Sequence, residues 1–349
     1  MNNKLFLDIN VLQTVPPSNI NRDDTGSPKT AQYGGVARSR VSSQSWKKAI
    51  RTYFNENGDV KNVGIRSLEI VQYLADEISK LVPEKPAEEV LKLADETLNN
   101  AGIKTKDYQM RALFFMGATQ AEALARAAVD GVKDKKKLQA LIKDNPAIDI
   151  ALFGRMVADD PSLNEDASSQ IAHAISTHAV QTEFDFFTAT DDLAPEDNAG
   201  AGMLGTVEFN SSTLYRYGNV AIHDLLRQLG NEEVVVNALK LFIEAFVNSM
   251  PTGKVNTFAN QTLPHAVLVT VRSDRPVNLV GGFEAPVKAK DGYIEQSISA
   301  LREEFTRVGK FVKQPEFTLT LGLDSVGIEQ DSLNALVENF ADELSTILQ

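Results

Sequence analysis

The sequence of 349 residues contains no cysteine, which excludes disulfide bonds, thiolate metal sites and cysteine nucleophiles. It also lacks any run of about 18 apolar residues that could span a bilayer. The first residues, from Met1 to Leu5, have neither the basic segment nor the continuous apolar stretch of a signal peptide. These absences predict a cytoplasmic protein that has no membrane partner.

Features typical of enzymes are equally scarce. The sequence has no P-loop, no G-x-G-x-x-G after a strand and no G-x-S-x-G elbow. Its four histidines are His173, His178, His223 and His265, and the first two are five residues apart rather than the four that place two ligands on one helical face. We therefore expect packed or hydrogen-bonded histidines, no catalytic residue, no metal and no cofactor.

The formal net charge of −12 by itself argues against a nucleic-acid partner, because phosphate binding depends on Lys and Arg. The charge is unevenly distributed, however. Residues 1–51 contain eight basic and three acidic residues, so this segment is +5 and the remainder is −17. A polyanion responds to the local field, so the N-terminal segment is a candidate site for nucleic acid.

Hydrophobic periodicity in this segment predicts a strand over Leu5–Leu12 and a helix over Gln44–Asn57. Between them, the stretch from Thr14 to Gly35 is rich in Pro, Gly and Asn and is predicted to be an irregular loop. A short basic strand is expected over Ala37–Val41. Ser42 or Ser43 would then cap the helix.

The segment from Arg66 to Lys143 has helical periodicity and is interpreted as an insertion. Three strands are predicted after it, over Ile148–Met156, Ile171–Ala189 and Thr206–Val220, and the segment from Asp191 to Gly205 is interpreted as a hairpin tip. Further elements alternate as helix 234–249, strand 266–271, helix 294–308, strand 317–323 and helix 332–348. The pattern predicts an α+β fold with a helical subdomain.

Cations and hydroxyls cluster around the predicted start of the helix. A helix N-terminus presents unpaired N–H groups and a partial positive charge, so it binds phosphate. Arg38 and Arg40 share a face of an extended segment, and Lys47 and Arg51 share a face of the helix. The alternative is a surface loop beside a solvated amphipathic helix. The candidate phosphate-binding residues are Arg22, Lys29, Arg38, Arg40, Ser42, Gln44, Lys47 and Arg51.

A series of motifs covers most of the chain. They are NRDD (21–24), GG (34–35), RVSSQSWK (40–47), DIALFGRM (149–156), IAHAISTH (171–178), FFTATDD (186–192), LGTVEF (204–209), YRY (215–217) and VKAKDG (287–292). In order and content the series resembles the CasC-type backbone subunit of the type I-E CRISPR Cascade surveillance complex. Residues 60–145 and the last forty residues contribute no motif to this resemblance.

The resemblance implies a modified RRM-like (ferredoxin-like) palm with a helical fingers insertion and a β-hairpin thumb. The palm would comprise residues 1–60 and 221–349, and the fingers residues 61–147. Residues 148–185 would return from the fingers to the palm, and the thumb hairpin would comprise residues 186–220.

The resemblance also implies a non-catalytic, antiviral role. Copies of the subunit polymerise along the guide RNA (crRNA) with other Cascade subunits and present it for pairing with target DNA. Arg22, Lys29, Ser42, Gln44, Lys47 and Arg51 would contact the RNA backbone, and Lys254 matches a further basic position. Phe186, Phe187 and Thr188 would lie at the thumb, near a displaced nucleotide and the target strand. The alternative for these three is the core of a strand.

Two other functions stay open at this point. Backbone subunits of type III effector complexes are similar in fold and cleave target RNA with an Asp on a palm loop, a role that Asp23 or Asp24 could take. The adjacent Arg22 offers these carboxylates a structural pairing instead. A monomeric RRM-like binder would need an aromatic sheet motif, which the sequence lacks.

Overall fold

The computed structural model describes residues 4–58, 63–189 and 203–349. Within these residues, ten strands form one sheet and four short strands form two small ones. The strands are β1 Phe6–Ser18, β2 Thr30–Tyr33, β3 Val36–Val41, β4 Gly64–Ser67, β5 Thr105–Lys106, β6 Gln109–Met110, β7 Phe114–Gly117, β8 Ser169–Ile171, β9 Ala174–Ser176, β10 Glu183–Ala189, β11 Met203–Ala221, β12 Ala266–Arg272, β13 Phe317–Leu321 and β14 Ile328–Glu329.

Helices lie on both faces of the large sheet and in the insertion. They are α1 Ser43–Asn57, α2 Ile70–Leu81, α3 Ala87–Asn100, α4 Ala118–Val129, α5 Lys135–Lys143, α6 Ile148–Phe153, α7 Ile222–Leu229, α8 Glu232–Asn248, α9 Val255–Phe258, α10 Ile294–Val308 and α11 Leu333–Leu348, with 3₁₀ turns at Pro161–Leu163 and Leu279–Phe283. No helix of the described segments is long and apolar enough to cross a membrane.

The centre of the large sheet has ferredoxin-like connectivity. Its strands lie in the order β12-β1-β11-β9, and neighbours are antiparallel. Helix α1 lies between β1 and β9 in the chain, and α8 lies between β11 and β12. This is the β-α-β-β-α-β arrangement of RRM-like domains. The predicted α+β fold with an RRM-like palm is confirmed, and we call this part the palm.

Strand β1 is buried on both faces. Leu7, Ile9 and Val11 belong to the main core, which α1, α8 and α11 cover. The alternate residues face a second core formed with α10 and the 3₁₀ turn at 279–283. On that face the hydroxyls of Tyr217 and Tyr215 donate to Asp8 and Asn10, each over 2.7 Å, so the buried polar groups of β1 are paired.

The YRY motif is therefore structural. Between the two tyrosines, Arg216 points to the opposite face, where its guanidinium lies 3.8 Å from the centroid of the Trp46 ring. It donates to the Gln13 Oε1 atom and to the Phe246 carbonyl, and it is 2% exposed. Burial lowers the pKa of Arg216 to about 9.

The prediction of one irregular loop from Thr14 to Gly35 was wrong. Strand β1 continues to Ser18, and its register with β11 shifts between Val15 and Ser18, so the Pro16-Pro17 pair occupies a bulge. Proline is tolerated there because a bulged residue does not need its N–H for the ladder.

The second part of that predicted loop is a hairpin of β2 and β3 joined by Gly34 and Gly35. Both glycines have positive φ, +59° and +77°, as a two-residue hairpin turn requires. A Cβ on Gly34 would lie 1.7 Å from the Glu284 carbonyl oxygen. The hairpin turn thus packs directly against the segment after the 3₁₀ turn.

The strand predicted over Ile148–Met156 was also wrong, because the segment forms the helix α6. Its residues from Ile148 to Leu152 are all buried, so the helix has no polar face in the sequence. A short continuous apolar run of this kind does not distinguish a buried helix from a strand. The helix ends at Gly154, whose φ is +78°.

The insertion, residues 63–147, has a hydrophobic core of its own. Helices α2 to α5 surround Leu74, Ile78, Leu98, Leu124 and Leu138, which are fully buried. The helical subdomain predicted from the sequence is confirmed, with β4 to β7 added to it.

A hairpin projects from the palm. Strand β10 pairs with the first part of β11, from Glu183↔Phe209 to Ala189↔Met203, and we call these two arms the thumb hairpin. Its predicted tip, 191–205, lies mostly outside the described residues. The remainder of β11 belongs to the palm sheet.

Candidate nucleic-acid interface

Helix α1 begins with a side-chain cap, and its first turn reaches the surface. The Ser42 hydroxyl accepts from the Ser45 N–H (3.4 Å), and the Ser42 N–H donates to the Asn21 Oδ1 atom (2.8 Å). Ser42 itself is buried, whereas Gln44 in the first turn is exposed. The cap therefore positions the loop of residues 19–29 beside a 15-residue helix whose positive end can bind an anion.

This loop folds around its own side chains. The Asn19 Nδ2 atom donates to the carbonyls of Gly26 and Glu208, each over 2.9 Å, and so ties the loop to the base of the thumb hairpin. The Lys29 N–H donates to the Asn21 carbonyl over 2.9 Å. Arg22 is exposed at the outside of the loop.

The carboxylate of Asp23 is engaged within the loop. Its Oδ1 atom accepts from the Thr25 hydroxyl (2.7 Å), the Thr25 N–H (2.9 Å) and the Ser27 N–H (3.0 Å). The Thr25 hydroxyl, followed by these N–H groups, lowers the pKa of Asp23. The pairing that we expected with Arg22 is not among the ion pairs of the described residues. Neighbours in the loop hold this carboxylate instead.

A groove of about 910 Å³ brings three cations together. It lies between the loop of residues 20–26, one side of α1 and the segment 248–254. Arg22, Lys48 and Lys254 line it, as do Asp23, Asp24 and Glu56. Lys254 thus joins the N-terminal cations although it is more than 200 residues away in sequence. Lys48 was not predicted as a contact, although its i,i+4 spacing from the candidate Gln44 indicated the same side of the helix.

Lys47 and Arg51 lie on another side of α1, towards the insertion. The Lys47 Nζ atom is 5.9 Å from the centroid of the Phe153 ring, and burial lowers its pKa. The Arg51 guanidinium lies 4.3 Å from the centroid of Phe115 and pairs with Asp149 at 3.2 Å. An aromatic ring therefore supports each of these cations on one side.

Lys29 and Arg40 lie together near the β2–β3 hairpin. Arg40 donates through Nε to the Thr30 carbonyl, and its Nη1 atom is 3.1 Å from the Nδ1 atom of the exposed His173. Partial burial and the charges of Arg40 and Lys29 lower the pKa of His173, which favours its neutral form. The other histidine of the IAHAISTH motif, His178, is packed as predicted, with its ring stacked on Tyr293.

Arg38 is fully buried and cannot act as a surface cation in this structure. It donates to the carbonyls of Tyr33, Ser176, Phe283 and Glu284 over 2.8–3.2 Å. Arg38 and Arg40 share a face of β3 as expected, but the segment around Phe283 covers only Arg38. Its predicted place among the RNA contacts is therefore corrected to a structural one.

The thumb hairpin exposes aromatic rings. Phe184 and Phe186, two residues apart and hence on one face, are 66% and 65% exposed, and Thr188 is exposed beside them. Phe187, on the other face, packs over Gly205 and is 38% exposed. The strand-core alternative is wrong for Phe186. Sequence reasoning missed Phe184, which the period of two from Phe186 would have indicated.

Two further observations concern an exposed motif residue and metal binding. Met156, in the DIALFGRM motif, is 81% exposed. Among the described residues, no group of three or more His, Asp or Glu side chains could hold a metal ion.

Comparison with known proteins identifies the family. Residues 7–345 match the family described as CT1975-like protein. This chain belongs to that family. No curated protein matches it.

Two solved structures are similar to this CT1975-like chain. A chain of a structure described as "CRISPR RNA-guided surveillance complex, pre-nicking" is 31% identical, with a TM-score of 0.86 over 97% of this chain and 100% of that one. A chain of a "CRISPR RNA-guided surveillance complex" is 28% identical, with a TM-score of 0.65 over 97% of this chain and 98% of that one. The relation to subunits of CRISPR surveillance complexes is thus confirmed.

The burial of Arg38 gives a testable distinction between two neighbouring cations. The change Arg38→Ala should lower the free energy of unfolding by about 3 kcal/mol or more, because buried carbonyls left without a donor cost about 1–3 kcal/mol each. The matched change Arg40→Ala, at the surface, should cost less than about 1 kcal/mol. Urea unfolding at neutral pH measures both, and equal stability of the two variants would contradict the assignment.

Proposed function

We propose that the protein is a non-catalytic backbone subunit of a type I-E CRISPR Cascade complex, which holds the phosphates of a guide RNA. The convergence of cations around the capped end of α1 carries this proposal. In a chain of net charge −12, these cations lie on two sides of α1 and on the segments next to its capped end, where a polyanion would meet their local field. We call them the basic surface: Arg22, Lys29, Arg40, Lys47, Lys48, Arg51 and Lys254.

The chemistry of the basic surface suits a backbone rather than bases. Phosphate contacts from Arg, Lys and helix N-termini fix position and carry no sequence information. A subunit that must accept any guide sequence needs this property, since pairing between guide and target supplies specificity. The related structures are of RNA-guided complexes, which supports RNA as the ligand.

The exposed thumb hairpin supports self-association. Its exposed Phe184 and Phe186 would pack on a neighbouring copy and on the RNA segment that the copy holds. A contact between the hairpin of one copy and a different surface of the next copy would be heterologous. Such a contact repeats from copy to copy without closing. Filaments would then grow along the RNA, joined by the other Cascade subunits, and would present the guide to target DNA.

The ribonuclease alternative is less well supported. Metal-assisted cleavage needs carboxylates free to gather Mg²⁺. Asp23 accepts three hydrogen bonds from Thr25 and Ser27. Its role in the proposed function is to shape the loop that carries Arg22.

The first prediction of this proposed function concerns the salt dependence of RNA binding. Replacing Arg22 and Lys47 together by Ala should flatten the slope of log K against log salt for single-stranded RNA by about 1.4, since each lost contact removes about 0.7. Fluorescence anisotropy from low to high salt measures this slope. Lys80→Ala with Lys92→Ala, on the outer helices of the insertion, removes the same charge and should leave it unchanged. An equal effect of both double variants would show that only net charge matters.

The second prediction concerns assembly. On RNAs that are one, two and four times the length covered by a single copy, the number of bound copies should rise in proportion to length. The double change Phe184→Ser with Phe186→Ser should reduce the cooperativity with which copies bind the same RNA. Analytical ultracentrifugation and electron microscopy give the copy number. Closed dimers, or one copy on every RNA, would refute the backbone role even if RNA binding survives.

The third prediction separates this proposal from the ribonuclease. Guide-loaded protein incubated with complementary RNA or DNA in Mg²⁺ or Mn²⁺ should leave both strands intact, in the wild type and in Asp23→Ala and Asp24→Ala. Denaturing gels measure cleavage. Target RNA cut at regular intervals, with the cuts lost in either variant, would establish the alternative.

A further inference from the structure

A buried carboxylate lies where the insertion leaves the palm and returns to it. Asp149, in α6, is fully buried. Its Oδ1 atom accepts from the Gly64 N–H (2.8 Å), in the first strand of the insertion, and its Oδ2 atom accepts from the Arg51 Nε–H (3.2 Å), in α1. One side chain therefore joins α1, β4 and α6.

Arg51 is held on two sides and open on a third. Asp149 binds its Nε atom, and the Phe115 ring lies 4.3 Å from its Cζ atom. In the part of the chain that the structure describes, its two Nη atoms have no hydrogen-bond partner, and the side chain is 21% exposed. The outer edge of a planar guanidinium binds the oxygens of a phosphate, so the free part of Arg51 is the part suited to RNA.

Fold stability alone does not account for a buried carboxylate here. Removing a carboxylate and an arginine from water costs free energy, and a well-packed apolar pair of similar volume often stabilises a protein as much. Burial raises the pKa of Asp149, against the opposing effect of the Gly64 N–H and Arg51. The carboxylate orients the Arg51 side chain. An unrestrained arginine loses considerable rotamer entropy when it binds a ligand, whereas an arginine already held in place has lost that entropy before binding.

We infer that Asp149 is a positioning residue for RNA binding, which fixes Arg51 on the Phe115 ring with its Nη edge towards a phosphate. The inference rests on the proposed function. It also makes the insertion part of the RNA site, because Phe115 and Gly64 both belong to it.

Electrostatics and positioning predict opposite results for Asp149→Asn. If Asp149 acted only as a negative charge near the RNA, its neutralisation would strengthen binding. If it positions Arg51, the variant should bind RNA roughly 3- to 10-fold more weakly, which corresponds to the cost of ordering one long side chain.

The experiment is a double-mutant cycle, with single-stranded RNA affinity measured by anisotropy for wild type, Arg51→Ala, Asp149→Asn and the double variant. Both single changes should weaken binding, and the double variant should bind no more weakly than Arg51→Ala, because Asp149 acts through Arg51. The control Asp160→Asn breaks the pair of Asp160 with Lys135 in the same part of the chain and should not weaken binding. Thermal unfolding without RNA reports the fold of every variant.

If Asp149→Asn does not fold, Phe115→Leu is used instead to test the positioning of Arg51. It keeps an apolar side chain but removes the ring, and it should weaken RNA binding only when Arg51 is present. Additive losses, unchanged affinity of Arg51→Ala, or Asp149→Asn binding as tightly as wild type would each overturn the inference alone. Wild-type protein that does not bind RNA would overturn the proposed function, and the inference with it.

Discussion

Over residues 6–12, strand β1 has neither a free edge nor a free face, and the rest of the fold is arranged around that constraint. Its backbone pairs with β11 on one side and β12 on the other. Helices cover both faces, so Asp8 and Asn10 are buried and need the hydroxyls of Tyr217 and Tyr215. These bonds fix the register of β11, and β11 in turn carries the thumb hairpin.

The distribution of cations follows from a second constraint, which is that a buried guanidinium needs oxygen partners inside the protein. Arg38 and Arg216 are buried and bind carbonyl or amide oxygens of the protein, so they add to the sequence charge but not to the surface that RNA would meet. Lys47 and Arg51 are intermediate, each resting on an aromatic ring. Arg22 is fully at the surface. The number of basic residues in a segment is therefore a poor measure of its binding capacity.

Local signals predicted α1 and the large helices correctly, because capping and periodicity act within a few residues. The sequence did not reveal α6, whose all-round burial depends on the insertion and palm meeting around it. Nor could it separate Arg38 from Arg40, since the carbonyls that bind Arg38 include those of Phe283 and Glu284, about 245 residues away. The basic surface was largely predicted by resemblance, and the place of Lys254 in it required the fold.

The longest strand, β11, runs from the thumb hairpin into the palm sheet, and its length is therefore of interest. Strand β11 has 19 residues, and at about 3.3 Å per residue it is roughly 60 Å long. Its partner changes from β10 at Phe209 to β1 at Asn210 with no intervening loop. The hairpin therefore has no hinge in this strand at its base. Its position is coupled directly to that of the palm sheet. In the proposed assembly, the length of this strand would set the interval between neighbouring copies, so that the interval would be a property of the fold rather than of the RNA.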